Sequence, residues 1–287
     1  MSKLKITILT PEYPPVVGGI SSICYGLSIA LCREGHEVCV LTNLDRGSLS
    51  ERIDCVLIER ILEPSTTINS VLRILKMNVK AVNLLSELGK HYRYLNLRDK
   101  LRLIRAYSDA YQCKEYVENC DVIHAFHPHR ALFIGYWLKK MLNKPLVCTF
   151  FGTDILGFRY LYRTLRSLLP ECDVLITLSN EVKKRASKLH GLEEDKIVVI
   201  PPGVNDVYLN CKLTREEVRR SLGFKADDFI ILTVCRLVRR KGVDNVIKAI
   251  RILKDLNLKY IIVGAVSYTH LRAHETEADL VCRLLLE

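Results

Sequence analysis

Two cations, Arg236 and Lys241, are the side chains of this 287-residue sequence best suited to hold a diphosphate. Arg236 stands near the end of the apolar run FIILTVCRL, which predicts a buried strand, and Lys241 precedes a segment that predicts a helix. In an open parallel sheet, ligands bind at the carboxyl ends of the strands. Two fixed cations beside a helix N-terminus would hold a diphosphate without a metal ion. The alternative is a basic surface turn, in which Arg239 and Arg240 are solvated.

Gly18 and Gly19 lie between an apolar run, KITILT, and residues 20–33, which predict a helix capped by Ser21 or Ser22. Glycine lets backbone N–H groups approach a ligand closely, and the adjoining helix N-terminus favours an anion. The alternative is a tight turn that needs glycine for its own geometry. The loop is not G-x-G-x-x-G, so the sequence lacks the NAD fingerprint.

A carboxylate, Asp154, follows the predicted strand PLVCTF in the segment FFGTD. A carboxylate beside a glycine at the carboxyl end of a strand suits contact with sugar hydroxyls. The alternative is an N-cap for a helix that begins near Ile155.

Three histidines, His124, His127 and His129, stand close together in HAFHPH. Clustered histidines are typical of metal sites, but no nearby Cys, Asp or Glu completes a ligand set here. The preferred interpretation is a polar pocket wall or satisfied surface histidines, and no metal is expected.

The elements that must position these groups alternate between strand and helix, which indicates an α/β fold built on parallel sheets. After the first strand, helix and second strand (VCVLT), further strands are predicted at 121–125, 145–150, 173–178, 196–200, 229–237 and 260–263. Further helices are predicted at 131–142, 181–189 and 243–254. The breakers Pro201, Pro202 and Gly203 mark a linker over residues 201–206. We therefore expect two successive Rossmann-like domains, residues 1–200 and a partial second domain at 207–264.

Residues 68–111 interrupt the alternation with apolar positions at helical spacing. Residues 69–107 contain nine Lys or Arg and only two acidic residues, Glu87 and Asp99. An ordinary helix pair that packs its apolar stripe on the sheet is the preferred interpretation. The second interpretation is peripheral contact with an anionic membrane surface.

Composition restricts the remaining classes. The formal net charge is +11, yet aromatic residues are only 7% and the basic residues concentrate in the helical insert, which disfavours a nucleic-acid-binding protein. No apolar run is long enough to span a membrane, and the N-terminus lacks the shape of a signal peptide. A cytoplasmic protein is expected, with its 11 scattered cysteines as small buried thiols.

The last segment, residues 265–287, resembles translated sequencing-adapter DNA and continues no αβ alternation. It is expected to be a non-native tail and is left out of the fold prediction. The alternative is a short helix over residues 275–286.

Four segments in this order, PEYPPVVGGI, FFGTD, VIPPGVN and CRLVRRKGVDNVIKA, resemble the family-4-like retaining glycosyltransferases over residues 3–264. The resemblance implies a GT-B fold, in which an acceptor-side domain faces a nucleotide-sugar domain across a cleft. It implies transfer of a hexose from a nucleoside diphosphate sugar to a lipid, polysaccharide or small acceptor, without metal or other cofactor. Retention would follow from same-face attack assisted by the leaving phosphate.

The resemblance also implies roles for single residues. Arg236 and Lys241 would neutralise the diphosphate leaving group, and Asp154 would orient the sugar. The expected donor- and acceptor-binding residues are Gly18, Gly19, Gly152, Thr153, Gly203 and Asn205.

Two departures from the family pattern bear on activity. Phe151 stands where many relatives have histidine, and it can neither donate a hydrogen bond nor carry a proton. The E-x7-E element that contacts the donor would lie beyond residue 264, so these 287 residues are expected to bind donor poorly and to have little activity. A GT-B sugar epimerase and a non-catalytic sugar-nucleotide-binding protein are the alternatives.

Overall fold

The structure is a computed structural model. It describes residues 2–16, 18–43, 49–62, 95, 97–152, 162–204, 209–210, 212–235, 237–253 and 258–264. The chain divides into two compact units, Met1–Asn205 and Asp206–Glu287.

The first unit is built on a sheet of eight strands in its described part. These are β1 (Lys5–Leu9), β2 (Glu37–Asn43), β3 (Ser50–Ile53), β4 (Val56–Leu62), β5 (Val122–Phe126), β6 (Leu146–Phe150), β7 (Val174–Thr177) and β8 (Ile197–Val199). The spatial order is β3-β4-β2-β1-β5-β6-β7-β8. Every neighbouring pair is parallel except β3 with β4. The strand order reverses between β1 and β5, so the loops after these two strands meet at a topological switch point, where ligands of such sheets bind.

Helices cover both faces of this sheet. They are α1 (Gly19–Arg33), α2 (Leu97–Val117), α3 (Arg130–Leu142), α4 (Tyr162–Leu168) and α5 (Asn180–His190). Successive residues of a strand point to opposite faces, and Ile8 accordingly joins the apolar cluster of α1 while Leu9 joins the cluster of α2 and α3. Burial on both faces explains why the central strands are continuous apolar runs.

The predicted strands and helices of this unit are present, with boundaries shifted by a few residues. The predicted cap of α1 was wrong, because Gly18 occupies the N-cap and Ser21 is buried inside the helix. The second half of the basic insert is helical as α2, and Trp137 of α3 donates its indole N–H to the Leu103 carbonyl at 2.9 Å. The first half of the insert, residues 68–94, lies outside the described residues.

Four elements were not predicted: β3, β4, α4 and α6 (Arg215–Leu222). The signals for two of them are in the sequence. Strand β4, VLIERIL, contains three β-branched residues in seven, a composition that favours a strand. Helix α6 begins with a capping box in which Thr214 and Glu217 bond each other's backbone N–H.

The second unit contains one strand–helix–strand element in its described part. Strands β9 (Phe229–Val234) and β10 (Leu258–Val263) pair in parallel, and α7 (Val243–Ile252) connects them. Leu237, Val243, Tyr260 and Ile262 form its small core. This βαβ element is the beginning of the predicted second Rossmann-like domain.

The cysteines differ from expectation at one place. Cys32, near the end of α1, is bonded to Cys55, in the β3–β4 turn, with the two Cα atoms 6.1 Å apart. The expectation of free thiols was wrong for this pair, because the fold brings residues distant in sequence within disulfide range. The other described cysteines are free, and five of these seven are buried.

A search of the helices in the described ranges found none with the length and hydrophobicity needed to cross a membrane.

Candidate functional site

The loop after β1 contains the two glycines and is held by several hydrogen bonds. Its first residue, Thr10, donates its backbone N–H to the Leu41 carbonyl at 3.1 Å. The side-chain amide of Asn43 donates to the Pro11 carbonyl at 2.9 Å, and a guanidinium N–H of Arg60 donates to the Pro14 carbonyl at 2.6 Å. These bonds come from the ends of β2 and β4, so the sheet edge fixes the course of the loop.

The backbone conformations of Gly18 and Gly19 do not require glycine. Gly18 has φ −178° and ψ 160°, an extended backbone that any residue adopts, and neither glycine is among those with positive φ. A Cβ at Gly18 would lie 2.8 Å from a carboxylate oxygen of Glu12. A Cβ at Gly19 would meet no atom of the described residues within 4 Å. At the start of α1, the described residues therefore leave room for a side chain at Gly19 but not at Gly18.

The three histidines lie along β5 and the loop that follows it: His124 is within the strand, and His127 and His129 come after it. His124 is buried and its Nε2 lies 2.7 Å from the Thr149 hydroxyl, while the His127 backbone N–H donates to the Thr149 carbonyl at 2.9 Å. His129 is the N-cap of α3, and its ring stacks on Phe133 with centroids 6.3 Å apart. Two of the histidines, His124 and His127, are thus not surface residues as one interpretation had it. No cluster of three or more His, Cys, Asp or Glu suited to a metal occurs within the described ranges.

Arg130, the first residue of α3, joins this loop to the end of β2. Its Nε and Nη2 contact the same carboxylate oxygen of buried Asp109, both at 2.9 Å, and its Nη1 donates to the Asn43 side-chain oxygen at 3.2 Å. Asn43 in turn holds the Pro11 carbonyl. The loop after β1, the end of β2 and the start of α3 are therefore joined in one polar network at the switch point.

The third predicted segment begins at the end of β6. Phe150 is buried, and Phe151 packs edge-on against Phe126 with ring centroids 5.4 Å apart. A Cβ at Gly152 would contact Val182 at 3.4 Å, so this glycine packs closely on α5. The predicted site residues Thr153 and Asp154 lie outside the described residues.

In the second unit, Lys241 closes a short 3-10 turn, Arg239–Lys241, directly before α7. Its side chain is exposed and pairs with no carboxylate of the described residues. Gly203 is exposed, with open space around it in the described part of the chain. Arg236 and Asn205 lie outside the described residues, so the structure leaves the pairing of Arg236 with Lys241 a prediction.

Gly242 is required by backbone geometry. It has φ 68° and ψ 24° and serves as the N-cap of α7. We expect Gly242→Ala to lower the free energy of unfolding of this unit by about 1–2 kcal/mol, because side chains disfavour the left-handed region. Urea denaturation followed by circular dichroism measures this, with Lys248→Ala, at an exposed position of the same helix, as the near-neutral control. Equal effects of the two substitutions would contradict the prediction.

The buried imidazole of His124 makes stability depend on pH. Burial lowers the pKa of His124 to about 4, and burial likewise lowers the pKa of His190 to about 4. Below the ordinary pKa of about 6.5, the unfolded chain binds protons that the folded chain does not. The stability contributed by neutral His124 is thus present above about pH 6.5 and declines as the pH falls to about 4.

We expect wild-type stability to fall between pH 6.5 and 4, with His124 contributing about 3 kcal/mol of the loss. In His124→Gln, about one proton fewer is taken up on unfolding in this pH range, so the slope of the unfolding free energy against pH becomes smaller. Thr149→Val is the control, because it removes the hydroxyl partner but keeps the buried imidazole and its slope. An unchanged slope in His124→Gln would show that this residue does not titrate on unfolding.

Sequence reasoning missed Asn43, Arg60, Asp109 and Arg130. The structure places Arg60 on the buried phase of β4, together with Val56, Ile58 and Leu62, whereas in the sequence VLIERIL both phases contain apolar residues. A charged residue on the buried phase of a strand indicates a specific partner.

Comparison with known proteins agrees with this fold. The family model of Glycosyltransferase Family 4 matches residues 17–208, and that of Glycosyl transferases group 1 matches residues 214–284. An uncharacterized glycosyltransferase of Methanocaldococcus jannaschii is 30% identical over 276 residues, which cover 91% of this chain and 63% of that protein.

Two solved structures share the fold. The Anabaena protein Alr3699/HepE, in complex with UDP and glucose, has a TM-score of 0.61 at 16% identity, over 94% of this chain and 63% of that one. The catalytic domain of starch synthase IV from Arabidopsis thaliana, bound to ADP and acarbose, has a TM-score of 0.62 at 17% identity, over 100% of this chain and 74% of that one. The chain spans about two thirds of the length of such relatives.

These similarities confirm the GT-B fold class that the sequence segments implied. The family model spans most of the first unit, including Gly18, Gly19 and the ends of β2 and β5. The chain belongs to Glycosyltransferase Family 4.

Proposed function

We propose that the protein transfers a hexose from a nucleoside diphosphate sugar to an acceptor with retention of configuration. The observation that carries the proposal is Lys241, an exposed cation at the N-terminal end of α7 and near the carboxyl end of β9. A cation and a helix N-terminus at this position suit a diphosphate. Arg236, at the end of the same apolar run, supplies the second charge.

The chemistry follows from where charge develops. As the bond between the sugar C1 and the diphosphate oxygen breaks, negative charge grows on the diphosphate, and cations fixed beforehand stabilise it without reorganisation. The acceptor hydroxyl attacks C1 from the face that the diphosphate leaves, and its proton passes to a phosphate oxygen. We propose that no protein nucleophile and no metal ion take part, and that Asp154 orients the donor sugar.

The acceptor side of the proposal rests on the glycine loop. The open space over Gly19 and the N-terminus of α1 suit close approach of an anionic or hydroxyl-rich ligand to the backbone. From the family motif, we propose four further ligand-binding residues: Gly152, Thr153, Gly203 and Asn205. Phe151 lies against Phe126 and presents an apolar ring where many relatives have histidine, so we propose that sugar contact there is by packing alone.

The nucleotide is proposed from two fold relatives, whose structures hold UDP and ADP. A panel of UDP- and ADP-hexoses tests the proposal with the protein expressed from its complete gene. Release of the nucleoside diphosphate measures turnover, and the NMR coupling constant of the product's anomeric proton distinguishes retention from inversion. Turnover that survives EDTA supports a metal-free reaction. Absence of turnover with every donor and acceptor class would reject the transferase proposal.

Residues 1–287 alone are proposed to turn over much more slowly than the complete gene product. Comparing the two proteins under the same conditions tests this, and equal rates would refute it. A lipid, polysaccharide or small-molecule acceptor remains open, and each class enters the panel.

Membrane contact through residues 68–111 is the second candidate property. In the described part of that segment, Arg102 pairs with buried Asp99 at 2.8 Å, and α2 packs on α3. These contacts favour a packing role for α2. Co-sedimentation with anionic vesicles tests whether the whole segment binds a membrane.

A further inference from the structure

Arg60 is a buried charge at a position of the core that an apolar side chain could fill. It lies on β4 with only 1% of its side chain exposed, on the same strand phase as Val56, Ile58 and Leu62. An aliphatic side chain would fill this position without the desolvation penalty of a guanidinium. Buried charges are paired, so the partners of Arg60 indicate what it does.

The partners of Arg60 point to the loop after β1. Its Nη2 donates to the Pro14 carbonyl at 2.6 Å and pairs with a Glu51 carboxylate oxygen at 2.5 Å. Glu51, on the adjacent strand β3, is part-exposed and supplies the countercharge. The guanidinium thus links the edge of the sheet to the loop that leads into Gly18 and Gly19.

The loop sequence explains why an external donor is needed. Pro14 and Pro15 have no backbone N–H, so this stretch can be held only through its carbonyl groups or by packing. Asn43 holds the Pro11 carbonyl at one end, and Arg60 holds the Pro14 carbonyl nearer the glycines. Beyond Pro15, the Val16 backbone N–H returns to the Tyr13 carbonyl at 3.0 Å, which closes the loop on itself.

We propose that Arg60 is a positioning residue: it fixes the Pro14 carbonyl, and through it the glycine loop, in the place that ligand binding at the N-terminus of α1 requires. Arg60 itself touches no substrate. The inference deepens the proposed transferase function and rests on it for the identity of the ligand. The anchoring of the loop is a separate claim that can be measured without any substrate.

The chain offers a control with the same bonding pattern in Lys139, whose side chain is more exposed than that of Arg60, 24% against 1%. Its Nζ donates to the Glu171 carbonyl at 2.9 Å and pairs with Asp173 at 2.6 Å, so it also joins a backbone carbonyl to a carboxylate. Lys139 lies near the C-terminal end of α3, whereas the loop contacts of α3 are at Arg130, its first residue. Arg60→Met and Lys139→Met therefore each remove a cation that joins a carbonyl to a carboxylate, at different places in the unit.

Hydrogen–deuterium exchange of peptides covering residues 10–24 is the first readout. We expect at least about tenfold faster exchange of the loop amides in Arg60→Met and wild-type exchange there in Lys139→Met. In the complete gene product, kcat of folded Arg60→Met falls by about tenfold to a hundredfold, because small displacements near the reacting groups are costly. Arg60→Lys, which keeps the charge, restores part of both properties. A merely structural role would lower the thermal midpoint but leave kcat per folded molecule unchanged.

The two proposals fail separately. Wild-type loop exchange in Arg60→Met overturns the positioning role even if the enzyme is an active transferase. Faster loop exchange in an enzyme with no transferase activity supports the anchoring and rejects the proposed function. If Arg60→Met does not fold, Arg60→Lys decides: partly accelerated loop exchange supports the proposal, and exchange equal to wild type overturns it.

Discussion

Lys241→Met is expected to lower kcat by about a hundredfold to a thousandfold, the range seen when one preorganised group that stabilises developing charge is removed. The side chain is exposed at the end of the Arg239–Lys241 turn and contributes no ion pair with the described residues. Its removal therefore costs the fold little, since surface charges contribute little to stability. The loss of activity comes from the transition state, where the diphosphate gains charge. Initial rates with saturating donor, measured on the complete gene product, give kcat directly.

Lys248→Met is the matched control for this prediction. Lys248 is also an exposed lysine of the second unit, in α7 itself, and its 3.8 Å pair with Asp244 is a surface contact. We expect its kcat to stay within about twofold of wild type, because exposed pairs of this kind are weak. A Lys241→Met enzyme that raised KM with kcat unchanged would show that the cation binds the ground state and transition state equally. An unaffected enzyme would remove Lys241 from the site.

The parts of the fold that could be predicted are those with a signal in a short stretch of sequence. Buried parallel strands such as β1 and β5 are continuous apolar runs, and their order with the helices predicted the α/β class. Strand β3, SERI, is short, polar and at the sheet edge, so neither hydrophobicity nor alternation marks it strongly. The disulfide of Cys32 with Cys55 depends on where the β3–β4 turn packs, and no spacing rule predicts that.

The residues of the candidate site likewise divide into those with a local sequence signal and those that depend on long-range contacts. The glycines and Lys241 are found from the sequence because strand, loop and helix follow one another within a few residues. The network that holds the glycine loop is made of long-range pairs: 46 positions separate Arg60 from Pro14, and 87 separate Arg130 from Asn43. Such pairs depend on the strand order β4-β2-β1-β5, which the sequence alone did not establish. The candidate ligand-binding residues therefore have local sequence signals, whereas the residues that hold the glycine loop do not.

A second large effect is expected at Gly19, where the fold tolerates a side chain and the proposed ligand does not. Gly19 is the first residue of α1, it is exposed, and a Cβ there meets no described atom within 4 Å. Gly19→Ala is thus expected to retain wild-type stability, since alanine is a better helix former than glycine. If the backbone at this point contacts substrate, a methyl group displaces that substrate by about 1 Å, and such displacements cost up to about a hundredfold in rate.

Gly26→Ala separates the two contributions, because Gly26 lies in the same helix, is exposed, and has equally open space within the described residues. We expect Gly26→Ala to gain about 0.5–1 kcal/mol of stability with unchanged kcat. Gly19→Ala should lose about tenfold in kcat/KM and Gly19→Val about a hundredfold, without loss of thermal midpoint. Chemical denaturation and steady-state rates on the same preparations provide both quantities. If Gly19→Val keeps full activity, the glycines serve no close approach, and the ligand must bind at the other strand ends, where Arg130 and His129 face the switch point.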